Sequence, residues 1–193
     1  MSHPADSFSA VNDMDGDNVT SGDNQQETER SSLNPYWIVG FVDGEGCFSV
    51  SLHRNERFAG RSFGWQINPS FHVYQHHLHG DVLRMIQQTL GVGRLHTKGQ
   101  GSQVDVLTVQ RRHDLLEVVI PFFERYPLRV KATDFRTFHE IVARLNRGEH
   151  FTRSGFESIV RAAYTMNANG EQRSRSLGEI LDGSSETERQ AHT

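Results

Sequence analysis

The sequence has a single cysteine, Cys47, among its 193 residues. One cysteine excludes an internal disulfide and a zinc site built from several thiolates, and it fits a reducing compartment. The chain has no run of about 18 or more apolar residues, so we expect no membrane span. The N-terminus lacks the basic-then-apolar pattern of a secretory signal peptide. We therefore expect an intracellular protein, in an organelle or in a bacterial or phage setting that the sequence leaves open.

Acidic charge is concentrated at the two ends of the chain. The sequence holds 20 Lys and Arg and 24 Asp and Glu residues, a net charge of −4. Residues 1–33 contain seven acids and one base, and residues 171–193 contain five acids and three bases. Residues 34–170 therefore carry a net charge of +4, together with nine of the eleven histidines. A mildly basic middle permits a nucleic-acid surface without requiring one.

Composition divides the chain into three parts. Residues 1–33 are rich in Ser, Asp, Asn and Gln and have no apolar periodicity, which predicts a disordered acidic leader. Residues 169–193 are similarly polar and are predicted to form a flexible C-terminal tail. Residues 34–168 carry the periodic segments and are predicted to form one folded domain.

The domain begins with a helix and two strands. Asn34 and Pro35 suit the N-cap and first position of a helix that runs to about Gly44. Strands are predicted at GCFSVSLHR and FGWQINPSFHVYQ, where Pro69 indicates a bulge or an edge position. A helix at GDVLRMIQQTLG and a hairpin at VGRLHTKGQGSQVDVLTVQ follow.

Helices make up the rest of the domain. RRHDLLEVVIPFFERY is predicted to be helical up to its proline, and TDFRTFHEIVARLNRG and TRSGFESIVRAAYTMN form two further helices. The order predicts an α+β fold, in which a four-stranded antiparallel sheet carries helices on one face. The other face of such a sheet is free to meet a partner.

Two carboxylates at the end of the first helix are the clearest chemical signal. In WIVGFVDGEGCF, Asp43 and Glu45 alternate with Gly44 and Gly46. Carboxylates are disfavoured at a helix C-terminus, where the free carbonyls carry partial negative charge. Gly40 would let a second such helix approach closely, so that the acidic ends converge around a hard divalent cation. The alternative is a solvated acidic turn that binds no metal.

Residues 38–46, IVGFVDGEG, resemble the nine-residue LAGLIDADG motif of the homing endonucleases. The order of elements resembles that family's αββαββα fold, with a saddle-shaped sheet, over roughly residues 34–168. The resemblance, with one motif in the chain, implies a homodimeric, site-specific DNA endonuclease on a long pseudo-palindromic duplex. It implies hydrolysis of one phosphodiester in each strand with Mg²⁺ or Mn²⁺, while Ca²⁺ supports binding without cleavage.

The resemblance also assigns catalytic residues. Glu45 matches the metal ligand of the motif, and Gly44 beside it is a second candidate ligand. Gln75, at the end of the second strand, matches a polar residue near the catalytic water. Lys131 or Arg129 matches the basic residue that precedes the long helix and stabilises developing charge, with Lys131 favoured.

The motif helix is expected to form the dimer interface. Asp43 is expected to have a structural role at the helix end rather than to bind metal directly. The predicted interface residues are Tyr36, Trp37, Val39, Gly40, Phe41 and Asp43.

The strands are expected to supply the DNA-binding face, because a two-stranded ribbon fits the major groove. Residues 50–109 hold six bases and three acids, so amide and imidazole groups favour base reading over bulk charge. A polar outer sheet face with no ligand is the alternative for any single residue. The predicted DNA contacts are His53, Arg54, Asn55, Arg57, Arg61, Gln66, Asn68, His72, Tyr74, Gln75, Arg94, His96, Lys98, Gln100, Gln103 and Asp105.

Other functions are weighed against the nuclease. A non-cutting binder of the same fold, either an intron RNA maturase or a DNA-binding regulator, would keep the architecture, and a purely structural dimerisation module is a third option. The histidines His72, His76, His77 and His79 match no closed zinc set and are predicted to bind no metal.

Overall fold

The computed structural model describes residues 33–55, 57, 62–167 and 175–182. It confirms the predicted α+β fold and element order. A four-stranded sheet in the order β1-β2-β4-β3 is antiparallel throughout. The elements are α1 Pro35–Glu45, β1 Gly46–Arg54, β2 Trp65–His76, α2 Asp81–Leu90, β3 Arg94–Thr97, β4 Val104–Val109, α3 Arg112–Asp114, α4 Ile120–Arg125, α5 Ala132–Asn146, α6 Arg153–Thr165 and α7 at 177–182.

The first helix starts where the sequence predicts. The Asn34 side chain accepts a hydrogen bond from the amide of Tyr36 at 2.9 Å, and Pro35 occupies the first turn. α2 ends at Gly91, whose φ of 71° is the left-handed conformation that glycine adopts without strain. Among the described residues, no helix is long and apolar enough to cross a membrane.

Pro69 lies in β2 opposite Val50 of β1 and causes no bulge, because the register runs unbroken past it. The pairing of β2 with β4 begins only at Phe71. In the described part of the sheet, Pro69 therefore has β1 as its one neighbouring strand. A residue without an amide proton is tolerated at such an edge.

The helix after β4 does not stop at Pro121, contrary to the prediction. α3 continues through π-helical turns at Leu115–Val119 into α4, which contains Pro121. The proline ring would clash with the carbonyl four residues earlier in a regular α-helix. The wider π-helical turns just before it accommodate the ring, so the helical path continues.

The prediction of a flexible tail over 169–193 is wrong for residues 175–182. Residues 177–182 form α7, and Ile180 is buried in the core of the domain. The short helix was missed because its apolar residues are too few to show a period. The predicted acidic leader falls almost wholly outside the described residues.

The core lies between the sheet and the helices and is centred on Phe48. This residue follows the end of α1 by three positions and is fully buried. Its ring lies 5.1 Å from Phe71, 5.6 Å from Phe123, 5.4 Å from Phe135 and 5.3 Å from Phe138, measured between ring centroids. One aromatic side chain thus joins β1 to β2, α4 and α5.

Replacing Phe48 by Ala should lower the free energy of unfolding by about 3–5 kcal/mol, because a large cavity would open at this junction. Phe48→Leu fills most of that volume and should cost much less. Urea unfolding at fixed protein concentration measures both. A loss below about 1 kcal/mol for Phe48→Ala would show that the cluster does not form as described.

Candidate functional site

The turn from α1 into β1 is sterically fixed at Gly46. A Cβ atom built on Gly46 would lie 2.5 Å from Val42 Cγ1 and 2.7 Å from the Val42 carbonyl oxygen. Any side chain there would force the helix end and the strand apart. The Gly46 amide donates to Val42 O and closes the last turn. Glu45, one residue earlier, is exposed at the tip of the helix.

The carboxylate of Asp43 holds the loop that precedes α5. It accepts hydrogen bonds from the amides of Arg129 at 2.8 Å, Val130 at 3.1 Å and Lys131 at 3.1 Å. Three backbone donors on one carboxylate form a charge-assisted cap. This geometry is the structural role predicted for Asp43, and its side chain is engaged within its own chain.

Lys131 neutralises the negative end of α1. Its Nζ donates to the carbonyl oxygen of Asp43 at 2.7 Å and lies 3.4 Å from that of Gly44. A cation at a helix C-terminus is stabilising, so the helix end already has a positive partner from its own chain. Lys131 thus offsets part of the negative charge at the helix end within the chain, and the divalent cation expected at the acidic ends stays a prediction. The ammonium also lies against the Gly44 carbonyl, which weakens the case for Gly44 as a ligand.

A cleft of about 400 Å³ opens beside Glu45 at the end of the sheet. Gln75 lines it with Glu45, as the sequence predicts, and its Oε1 accepts a hydrogen bond from the His76 amide at 2.7 Å. Lys98 lines the same cleft, and its Nζ lies 5.2 Å from the centre of the Tyr74 ring.

The site thus contains a cation, Lys98, that the sequence placed only among the DNA contacts. Lys98 follows β3, and Gln75 is the second-last residue of β2, so their proximity depends on the strand order β2-β4-β3. Lys98 lies one residue before the hairpin turn, and nothing in the sequence at that position indicates that it comes close to Gln75. The predicted cation Arg129 has an exposed side chain, and only its backbone amide is bound to Asp43.

The sheet face away from the helices carries most of the predicted DNA contacts. Alternate residues point to this face, and the strand register aligns them across the sheet. The Asn55 side-chain amide donates to Gln66 Oε1 at 3.2 Å across the first hairpin. The predicted contacts on this face are His53, Asn55, Gln66, Asn68, His72, Tyr74, Arg94 and His96.

Three predicted contacts, Arg54, Gln75 and Asp105, lie at positions of the opposite, helix-side face, and Gln75 lines the cleft at the end of the sheet. Arg54 is paired with Trp65, and its guanidinium carbon lies 5.6 Å from the centre of the indole ring. Asp105 accepts a hydrogen bond from the Thr97 hydroxyl at 3.0 Å. The strand alternation that places their neighbours on the outer face places these three on the inner one. Arg54 and Asp105 are therefore wrong as residues of the outer face, and Gln75 meets the cleft rather than that face.

The remaining predicted contacts lie in the hairpin connections. Arg57 and Gln100 are exposed, whereas the Gln103 side chain is bound to His76 Nε2 at 3.0 Å. Arg61 lies outside the described residues.

His72 is engaged through both ring nitrogens. Nδ1 lies 3.0 Å from the Thr108 hydroxyl, and Nε2 lies 2.8 Å from the Ser70 hydroxyl. Burial, with a smaller contribution from nearby His96, lowers the pKa of His72, so the ring is neutral at neutral pH. Reading a base edge through either nitrogen would require one of these hydrogen bonds to break.

The outer side of α1 is apolar and uncovered. Tyr36 is 66% exposed and Trp37 is 44% exposed, with the Trp37 ring stacked on Phe41 at 5.2 Å. A Cβ added to Gly40 would meet no atom within 4 Å in this chain. Val39 is only 6% exposed and packs into the core of its own chain, so its prediction as an interface residue is wrong.

The described residues contain no cluster of three or more His, Cys, Asp or Glu side chains that could hold a metal ion within one chain. Within the same residues, Glu45 makes no hydrogen bond or ion pair. Mg²⁺ is typically bound by one or two carboxylates together with water and phosphate oxygens. One exposed carboxylate per chain fits such a shared site, and it does not fit a closed site in a single chain.

Fold and site together define an α+β domain with an acidic helix end at one edge of a polar sheet face. A profile of the LAGLIDADG endonucleases matches residues 38–142 of the chain. The chain belongs to the LAGLIDADG endonuclease family.

Named relatives agree with this assignment. Probable intron-encoded endonuclease 3 of Neurospora crassa is 32% identical over 137 residues, and the match covers 70% of this chain but only 25% of that protein. Homing endonuclease I-ApeII of Aeropyrum pernix is 30% identical over 149 residues, which cover 75% of this chain and 86% of that one. The archaeal intron-encoded homing endonuclease I-Vdi141I, solved in complex with DNA, superposes with a TM-score of 0.73 at 28% identity, over 80% of this chain and 96% of that chain.

Replacing each of the two acids of the motif should have a different effect on the stability of the fold. Asp43→Ala should lower the free energy of unfolding by about 1–2 kcal/mol, because three amides of the loop lose their acceptor. Glu45→Ala is the matched control and should change it by less than about 0.5 kcal/mol. Urea unfolding of both variants at one protein concentration makes the comparison. Equal losses would contradict the division of roles.

Proposed function

We propose that the chain is a site-specific DNA endonuclease that hydrolyses phosphodiesters with the help of a divalent metal ion. The convergence of Glu45, Gln75 and Lys98 at one cleft carries this proposal. That cleft lies at the end of a polar sheet face of the kind that fits a major groove. The relatives named as endonucleases, and the neighbour solved with DNA, support the same function.

A homodimer would complete the site. The exposed apolar side of α1 needs a cover, and the open space over Gly40 lets a second α1 helix approach closely. Two α1 helices packed in this way would bring Glu45 of each chain near the other. A two-fold symmetric protein would then select a pseudo-palindromic duplex.

The metal ion, Mg²⁺ or Mn²⁺, would be held by Glu45 of each chain and by phosphate oxygens, and it would supply an activated water and charge stabilisation. Ca²⁺ would support binding without cleavage. Gln75 would orient the attacking water through its side-chain amide. Lys98, next to Glu45 and Gln75, would place a positive charge beside the scissile phosphate. Lys131 would act indirectly, because its Nζ holds the helix end that presents Glu45.

Glu45→Gln should reduce cleavage at least about a hundredfold, because a neutral amide is a poor ligand for a hard cation. The target is first obtained by selecting cleaved sites from a random duplex library in Mg²⁺, and cleavage and binding are then measured on that duplex. Binding in Ca²⁺ should be retained.

Glu124→Gln, at an exposed acid of α4 outside the cleft, is the matched control. If the wild-type protein cleaves no duplex but still binds RNA or DNA, the chain is a non-cutting binder. Unreduced cleavage by Glu45→Gln would remove the metal-ligand role.

Gly40→Leu should convert the proposed dimer into a monomer, because the added side chain would occupy the space for the second helix. The fold itself should gain stability, since leucine is a better helix former than glycine by roughly 0.8 kcal/mol. Sedimentation equilibrium gives the mass, with Gly99→Leu, another glycine in open space, as the control. A wild-type chain that is monomeric at all concentrations would contradict the homodimer.

A further inference from the structure

Six of the nine residue pairs that join β1 to β2 lie beyond the part of β2 that pairs with β4. β1 pairs with β2 from Gly46 to Arg54, whereas β4 pairs with β2 only from Phe71 onward. Residues 65–70 of β2 therefore form a two-stranded ribbon with β1. Two-stranded ribbons are marginally stable and twist strongly unless another element packs on them.

The segment 175–182 packs on this ribbon at Trp65. The guanidinium carbon of Arg175 lies 5.4 Å from the centre of the indole ring, and that of Arg54 lies 5.6 Å from it. Trp65 is 1% exposed. Two cations thus contact one buried indole, one from the ribbon and one from the C-terminal segment.

The C-terminal segment is itself firmly anchored. The Glu179 carboxylate accepts from the Ser176 amide at 2.6 Å, and the Glu179 amide donates to Ser176 Oγ at 3.2 Å, which is a capping box for α7. Ile180 is buried in the core. Tyr164 of α6 donates through its hydroxyl to the Arg175 carbonyl at 2.7 Å.

The ribbon supported in this way carries predicted base-reading residues. His53 of β1, and Gln66 and Asn68 of β2, lie on its outer face, and Asn55, just after β1, donates to Gln66. His53 is eight residues beyond Glu45, so this end of the hairpin is far from the cleft. The direction of the ribbon would decide which of these side chains reach the outer base pairs of a bound half-site.

We propose that residues 175–182 position the β1–β2 ribbon for reading the outer base pairs, through the contact of Arg175 with Trp65. Arg175 acts as a positioning residue and does not contact the DNA. The inference rests on the proposed function, since it assigns the ribbon to DNA. The alternative is that α7 adds stability to the whole domain without directing the ribbon.

Hydrogen exchange on the DNA-free protein tests the coupling directly. Arg175→Ala should speed amide exchange in residues 52–55 and 65–68 by about three- to tenfold, the effect of losing one cation–π contact. Exchange in residues 71–76, which pair with β4, should not change. Arg54→Ala should act on the same residues from the other side of the contact, and Arg175→Lys should retain part of the protection.

Arg84→Ala is the matched control, since Arg84 is an exposed arginine of α2 that pairs only with Asp81 on its own helix among the described residues. Unchanged exchange in the ribbon, or equal acceleration throughout the sheet, would overturn the proposal.

A second measurement tests the consequence for DNA. Cleavage by the wild type and by Arg175→Ala is measured on every single base-pair substitution of the duplex that the wild type selects. The variant should lose about fivefold of its discrimination at the outer positions only, with cleavage of the preferred duplex retained.

A uniform loss along the half-site, or none, would overturn the reading role. Failure of the proposed function would appear differently, as a wild-type chain that neither binds nor cleaves any duplex. That result would also remove the reading role, whereas the exchange measurement would still decide whether residues 175–182 hold the ribbon.

Discussion

The ammonium of Lys131 and the carboxylate of Asp43 hold the C-terminal end of α1 against the loop before α5, and the placement of Glu45 depends on both contacts. The two side chains make reciprocal contacts. Asp43 satisfies amides of the loop, and Lys131 satisfies carbonyls of the helix. With Gly46 closing the turn and Phe48 buried three residues beyond Glu45, the motif acid projects from a rigid base. Rigid support of this kind is what the proposed metal site would require of Glu45.

The two ends of β2 lie in different surroundings. The end of β2 that contains Gln75 lies at the cleft, and the end that contains Trp65 lies under the C-terminal segment. Between them, alternate residues face either the core or the open side. Strand alternation places Arg54 and Asp105 on the helix side, although both are polar and lie in the expected strands. Gln75 shares the face of Asp105 but lines the cleft, because it lies near the end of its strand.

Much of the fold could be predicted because the apolar periodicity, the caps at Asn34 and Gly91, and the nine-residue motif all indicate the same order of elements. Glu45 and Gln75 were found together because the motif and the strand end are local features. Lys98 and Arg175 could not be assigned in this way, since each acts through a contact between elements far apart in the chain. The helix at 177–182 has one local sequence signal, the Ser-x-x-Glu capping box, and the segment is otherwise too polar to show an apolar period.

The 12-residue length of β2 also acts as a ruler. A strand rises about 3.3 Å per residue, and B-form DNA rises about 3.4 Å per base pair, so the two repeats nearly coincide. Side chains on the open face recur every second residue and thus advance by about two base pairs each. The cleft and Trp65 mark opposite ends of the same strand. In the proposed complex, one uninterrupted run of backbone would therefore set the length of DNA that one chain spans, and an insertion within it would shift the register of every contact beyond it.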